Sequence, residues 1–129
     1  MTEEYYTETY ITGWKDRDNV IISLWHMNER DETEQVGVVE LAVYKRGEHE
    51  GEALVWNLYV DEEHRHKGLA RKMMDEAHKT AKHLGAKVTT LEWSLKESPY
   101  WVIEWYARLG YDEKEFGPGC ALMKRLLTE

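Results

Sequence analysis

The stretch from Leu58 to Leu84, LYVDEEHRHKGLARKMMDEAHKTAKHL, constrains the fold more than any other. It opens as a buried strand, Leu58-Tyr59-Val60, crosses a charged turn and enters an amphipathic helix at Gly68. Apolar residues return at Leu69 and Ala70, Met73 and Met74, Ala77, Ala81 and Leu84, which is the spacing of one helical face. Gly85 follows, a residue type that commonly ends a helix in the left-handed conformation. A strand, a glycine-containing turn and a helix start in succession point backbone N–H groups outward. The helix dipole adds partial positive charge at the same place, which therefore suits a phosphate.

The charges bear on the same turn. The chain has 25 acidic and 17 basic side chains, for a net charge of −8, yet Arg65, Lys67, Arg71 and Lys72 lie close together with His64 and His66 beside them. Cations in a first helical turn oppose the dipole and cost a few tenths of a kcal/mol, roughly, unless an anion is present. Chemistry alone leaves two readings at even weight. One is an anion site; the other is a solvated turn whose bases pair with Asp61, Glu62 and Glu63.

The residues Arg65-x-x-Gly68-x-Ala70, following Leu58-x-Val60, resemble the acetyl-CoA-binding motif of the GNAT superfamily of N-acetyltransferases, whose pattern is Gln/Arg-x-x-Gly-x-Gly/Ala. Downstream, Trp105-Tyr106-Ala107-Arg108-Leu109-Gly110-Tyr111 is similar to that family's second motif, an aromatic residue and Tyr followed by Gly and an aromatic. Together the motifs cover roughly residues 53 to 125, with a helix, a strand and a helix start between them.

The resemblance implies a set of roles. Backbone groups of Leu58, Tyr59 and Val60 would receive the pantetheine arm of acetyl-CoA, and the Val60 N–H would stabilise an oxyanion. The turn formed by Arg65, His66, Lys67, Gly68, Leu69 and Ala70, with Arg71, would hold the pyrophosphate, Gly68 allowing close backbone approach. Tyr106 matches the tyrosine that protonates the leaving thiolate; a phenol with pKa near 10 is protonated at neutral pH. Position alone would read Tyr106 as a core residue, and the flanking motif reverses that reading. Pro99 stands near the place where the family often has Asn, leaving Ser94 or Ser98 for a pantetheine hydrogen bond.

Taken in order, the chain predicts strands at Tyr5–Thr12, Val20–Trp25, Val36–Tyr44 and Ala53–Val60, with polar turns at Gly13–Asn19 and Asn28–Thr33. After the central helix come a strand over Lys87–Trp93, a helix begun by Ser98-Pro99 and stopped by Gly110, and a strand over Tyr111–Glu115. A turn at Gly117-Pro118-Gly119 and a last strand over Ala121–Leu127 complete it. The expected fold is α+β: one domain over residues 1–129, with a mixed, mostly antiparallel sheet of about seven strands, a splayed parallel pair and two main helices. The family's N-terminal helices, which often shape the acceptor pocket, have no room between the first two strands. A shallow acceptor site open to a cationic amine on a lysine side chain, a protein N-terminus or a polyamine is expected, or one closed by a second chain.

Several function classes are disfavoured. The net charge argues against nucleic acid and anionic membrane as partners. No apolar run approaches the ~20 residues of a membrane span, and the acidic start MTEEYY is unlike a signal peptide. The single cysteine, Cys120, allows no intramolecular disulfide and is read as a buried structural thiol; a cytoplasmic setting follows as the expectation. Among six histidines, His64 and His66 alternate in a turn, His78 and His83 lie off a common helical face, and no Cys partners them, so no metal site is expected. A general base is not legible: Glu40 and Glu92 each stand in an apolar strand, and a water chain could serve instead.

Overall fold

Ten backbone partners along Glu4–Gly13 and Arg17–Met27 make the first hairpin of the chain, joined by a short turn in which Trp14 N–H donates to Arg17 O at 2.8 Å. The computed structural model describes residues 4–94, 101–117 and 120–127, with side chains throughout except at 92–94, 101–103, 113–117, 120–124 and 126. The first two strands, β1 (Glu4–Gly13) and β2 (Arg17–Met27), run longer than their apolar cores, and the turn between them is tighter than Gly13–Asn19. No helix is inserted there.

Strands β3 (Thr33–Tyr44) and β4 (Glu52–Val60) extend the antiparallel meander. The β2–β3 turn is built on Asn28, whose side-chain oxygen accepts from the N–H groups of Arg30 and Glu32 at 2.8 and 3.1 Å, a local turn favoured by Asn. A short 3-10 turn, Glu62–His64, precedes helix α1 (Leu69–His83), which leads to β5 (Val88–Ser94). Helix α2 is described over Trp101–Arg108 and is followed by β6 (Asp112–Gly117) and β7 (Cys120–Leu126). The strands hydrogen-bond in the order β1-β2-β3-β4-β5-β7-β6, and only β4 and β5 run parallel. Ser98, Pro99 and the centre of the Gly117-Pro118-Gly119 turn lie outside the described residues, as do the side chains of Glu92, Ser94 and Cys120.

Helix α1 closes the core. Leu69, Met73, Met74, Ala77 and Ala81, spaced by three and four, are buried and packed on β2, β3 and β4. The strands answer with alternate residues: Val20, Ile22 and Leu24 on β2, Val39, Leu41 and Val43 on β3, and Ala53 and Val55 on β4. Met73 and Met74 have no exposed surface; burying such side chains contributes about 2 kcal/mol each. The opposite face is different. Tyr10, Ile21 and Trp56 stand on one cross-strand row that also holds Glu40, and all three are exposed.

Candidate active site

Two devices shape the end of β4. The first is a bulge: Val38 pairs with Tyr59 but Glu40 pairs with Trp56, so β4 carries one extra residue. Asn57 takes up the difference with a left-handed φ of 56°, a conformation asparagine tolerates better than most residues. Its side-chain amide donates to Glu40 Oε2 at 2.7 Å. The second is separation from β5. The parallel pair is joined only at Glu52–Leu54 with Val88–Thr90, after which no pairing between them continues. The end of β4 therefore opens away from β5.

Backbone alternation fixes what faces that opening. Asp61 N–H donates to Val36 O at 2.7 Å, toward β3, and the Tyr59 carbonyl also lies against β3, where a Cβ on Gly37 would come within 2.8 Å of it. Neighbouring residues of a strand point their N–H and C=O groups to opposite sides, so the Val60 N–H turns toward the β5 side. Gly37 is thus required for the close approach of β3 to Tyr59.

The turn that follows folds back on the strand. Arg65 Nε donates to the Val60 carbonyl at 2.7 Å, and its guanidinium lies 5.4 Å from the Tyr59 ring centroid. His66 and Gly68 both have left-handed φ, 65° and 77°. Gly68 is the N-cap of α1, has no side-chain capping bond, and no acid occupies the first turn. The N–H groups of that turn are left to solvent or a ligand. A Cβ on Gly68 would meet nothing within 4 Å, so glycine is needed here for its positive φ rather than for space within the protein.

These elements enclose a cleft of about 500 Å³. Leu58, Tyr59 and Val60 form one wall; Arg65, His66, Gly68, Leu69, Ala70 and Arg71 form the floor and the helix start; Trp105 and Tyr106 of α2 face them. Of the cofactor residues that the sequence motif implies, only Lys67 is absent: its ammonium turns to Tyr5, donating to the hydroxyl at 3.1 Å. Lys72 does not line the cleft either. His64 and Trp105 do, although the motif assigns neither a role in the site. The leading aromatic of the second motif is a signal for Trp105; His64 has none short of the 3-10 turn that buries it.

Tyr106 is packed edge-on against Trp105 and Tyr111, with ring centroids 5.0 and 5.9 Å away, and burial pushes its phenol pKa up. It is held protonated at neutral pH. Behind it lies a buried polar network. Tyr111 Oη accepts from Thr89 at 2.8 Å and meets His78 Nε2 at 2.6 Å, while Arg125 donates to His78 Nδ1 at 2.5 Å. Burial, then the Arg125 charge, lowers the His78 pKa to about 4, against a smaller opposing pull from Asp75. Burial pushes Tyr111 up to about 12. This network links α1, β5 and β7 around the residue that ends the second motif.

An uncapped helix start flanked by two arginines, beside a strand end with an outward N–H, is suited to hold an anion and a thioester together. Comparison with known proteins agrees in kind. Residues 24–113 match the family model described as acetyltransferase (GNAT) domain, which is more than half of the chain. The chain belongs to the GNAT acetyltransferase family and is an acyltransferase of that type. Its fold is similar to the ribosomal-protein-S18-alanine N-acetyltransferase from Escherichia coli, with TM-score 0.65 and 14% identity over 99% of this chain and 96% of that one. It is similar also to the PaiA N-acetyltransferase from Thermoplasma acidophilum in complex with coenzyme A, with TM-score 0.64 and 19% identity over 82% of this chain and 60% of that one. A third likeness is to the IAA acetyltransferase from Bacillus cereus, with TM-score 0.65 and 15% identity over 84% and 78%. At these identities the likeness is one of fold. No curated protein matches the sequence.

Proposed function

We propose that the cleft binds acetyl-CoA and that the protein transfers the acetyl group to a primary amine set in cationic surroundings. The observation that carries this reading is the bare start of α1 at Gly68, without cap or first-turn acid, beside Arg65 and Arg71 in a chain of net charge −8. The first-turn N–H groups and Arg71 hold the pyrophosphate, and Arg65 contributes the guanidinium donors that its bond to Val60 leaves over. Leu58, Tyr59 and Val60 receive the pantetheine arm, with the Val60 N–H directed at the carbonyl oxygen of the acetyl group. Acetyl-CoA supplies an acetyl group activated as a thioester. Tyr106, protonated and buried, gives its proton to the departing thiolate.

The acceptor class rests on openness and charge. The direct turn between β1 and β2 inserts no helix, and Tyr10, Ile21 and Trp56 are exposed. A site without a lid favours an amine that protrudes from a larger molecule or a flexible chain, and an acidic surface draws cations toward it. The second reading is a catalytically silent domain that binds CoA or a protein. The shared lining of one cleft by Tyr106 and Val60 favours the enzyme. Assaying acetylation of lysine peptides, protein N-terminal peptides and polyamines at low and high salt tests the proposal by mass. Turnover that is confined to cationic amines and weakens with salt is expected. Turnover only with neutral or anionic amines, indifferent to salt, would overturn the acceptor class.

A further inference from the structure

A side-chain cluster at the edge of the cleft shares only His64 with its lining and includes no residue given a role in acetyl transfer. His26 near the end of β2 is paired in the sheet with Glu34 near the start of β3, and the turn Glu62–His64 brings His64 against them. His26 Nδ1 and His64 Nε2 each lie 3.8 Å from the same oxygen, Glu34 Oε1. One ligand atom from each residue falls within 4.8 Å of the others. The imidazole centroids are 4.7 Å apart. Both histidines are buried, at 6% and 7% exposure, while the Glu34 carboxylate is exposed and free to close on an ion.

We infer that His26, Glu34 and His64 form a binding site for a borderline divalent transition metal, Zn²⁺ best fitting the donor set, which fastens the β2–β3 edge to the turn ahead of Arg65. Two imidazole nitrogens and one carboxylate are the donors such ions prefer; magnesium and calcium take oxygen. Zinc bonds of about 2.0–2.2 Å at tetrahedral angles place ligand atoms about 3.3 Å apart. The two 3.8 Å separations need an approach of a few tenths of an ångström, within reach of an exposed glutamate, while the two imidazole nitrogens, within 4.8 Å of each other, must close by up to about 1.5 Å through ring rotation. At His64 a neighbouring bond selects the right nitrogen. Tyr5 Oη lies 2.8 Å from His64 Nδ1, so the tautomer that donates from Nδ1 leaves the Nε2 lone pair for the metal, the usual arrangement behind a ligating histidine. Tyr5 Oη has a second acceptor position for Lys67, whose ammonium is a like charge beside this shell and weakens the site. A fourth position is left to water, facing the solvent side where Glu34 stands.

The test uses the full chain after chelator treatment and needs neither acetyl-CoA nor an amine, so its failure would leave the acetyltransferase reading untouched. Melting is followed with ZnCl₂ or MgCl₂ added, and Co²⁺ is titrated by visible absorption. Roughly 100 μM Zn²⁺ is expected to raise Tm by about 5 °C or more, with no effect of Mg²⁺. Co²⁺ should give a d–d band of bound, low-symmetry metal with one ion per chain. Glu34→Gln, which alters an exposed group, should weaken Co²⁺ at least about tenfold, and His26→Gln should remove the band. If His26→Gln fails to fold, the Glu34→Gln titration decides. No Zn²⁺ shift and no Co²⁺ band in the native chain would overturn the proposal, and so would an unchanged Co²⁺ Kd in Glu34→Gln.

Discussion

Arg65 Nε donates to the carbonyl oxygen of Val60 at 2.7 Å, tying the helix start to the strand end across the turn between them. One side chain therefore serves two ends of the same cleft: it fixes the strand whose N–H faces the opening and keeps donors for an anion. Arg65→Ala is expected to raise the KM for acetyl-CoA about tenfold, the weight of one charge-assisted bond, with a smaller change in kcat. Arg65→Lys should recover only part of the loss, since it keeps the charge but not the rigid fork. Steady-state kinetics at varied acetyl-CoA check this; an unchanged KM in Arg65→Ala would remove Arg65 from the site.

The proposed proton donor is Tyr106, and its hydroxyl alone is at issue. Tyr106→Phe should lower kcat about 10²-fold while acetyl-CoA affinity holds. Because burial raises the Tyr106 pKa, its ionisation should cause no loss of wild-type activity below about pH 10. A pH profile of kcat for both proteins checks the two statements. Equal kcat at every pH would make Tyr106 a packing residue.

Gly68 separates conformation from sterics. At φ 77°, with open space where a methyl group would stand, Gly68→Ala is expected to cost about 1–2 kcal/mol from backbone strain alone. Gly68→Asn should cost less, since Asn enters the left-handed region more readily. Urea unfolding of the three proteins measures the series. Equal stabilities would mean that the turn does not require a left-handed residue.

The strand–turn–helix from Leu58 to Leu84 is legible in the sequence because its apolar spacing changes from strand to helix across a single charged turn, and local chemistry suffices to read it. The lack of helices between β1 and β2 is legible from the shortness of Gly13–Asn19. The bulge at Asn57 is not: an asparagine inside Val55-Trp56-Asn57-Leu58-Tyr59 signals an irregularity, but only the pairing with β3 shows an extra residue and the swing away from β5. Nor is the meeting of His26, Glu34 and His64, which depends on β2–β3 register and on a turn distant in sequence. Spacing between sequence neighbours carries no trace of it. Lys67 resembles its neighbours by composition, yet its stem points to Tyr5 rather than into the cleft.

The network at His78 predicts an acid-sensitive fold. His78 is held neutral, its pKa lowered to about 4 from an ordinary 6.5, by burial first and then by Arg125. Between those values the unfolded chain binds a proton that the folded one does not, so stability is full above about pH 6.5 and falls as pH drops toward 4. The loss is on the order of 2–3 kcal/mol. Comparing urea unfolding of the native chain and His78→Gln at pH 7 and pH 4.5 isolates it from the carboxylates common to both. Parallel losses in the two proteins would show that His78 is not the group responsible.

The proposed function depends on the bare start of α1 and the opened end of β4 forming one acetyl-CoA site. Isothermal titration of the native chain with acetyl-CoA tests it most directly. One molecule per chain is predicted, with a Kd on the order of micromolar, weakened by at least about tenfold when Arg71 is replaced by Ala in a protein that melts as the native one does. No binding heat at millimolar acetyl-CoA from the folded native chain would contradict the claim, as would binding that the Arg71→Ala change leaves untouched.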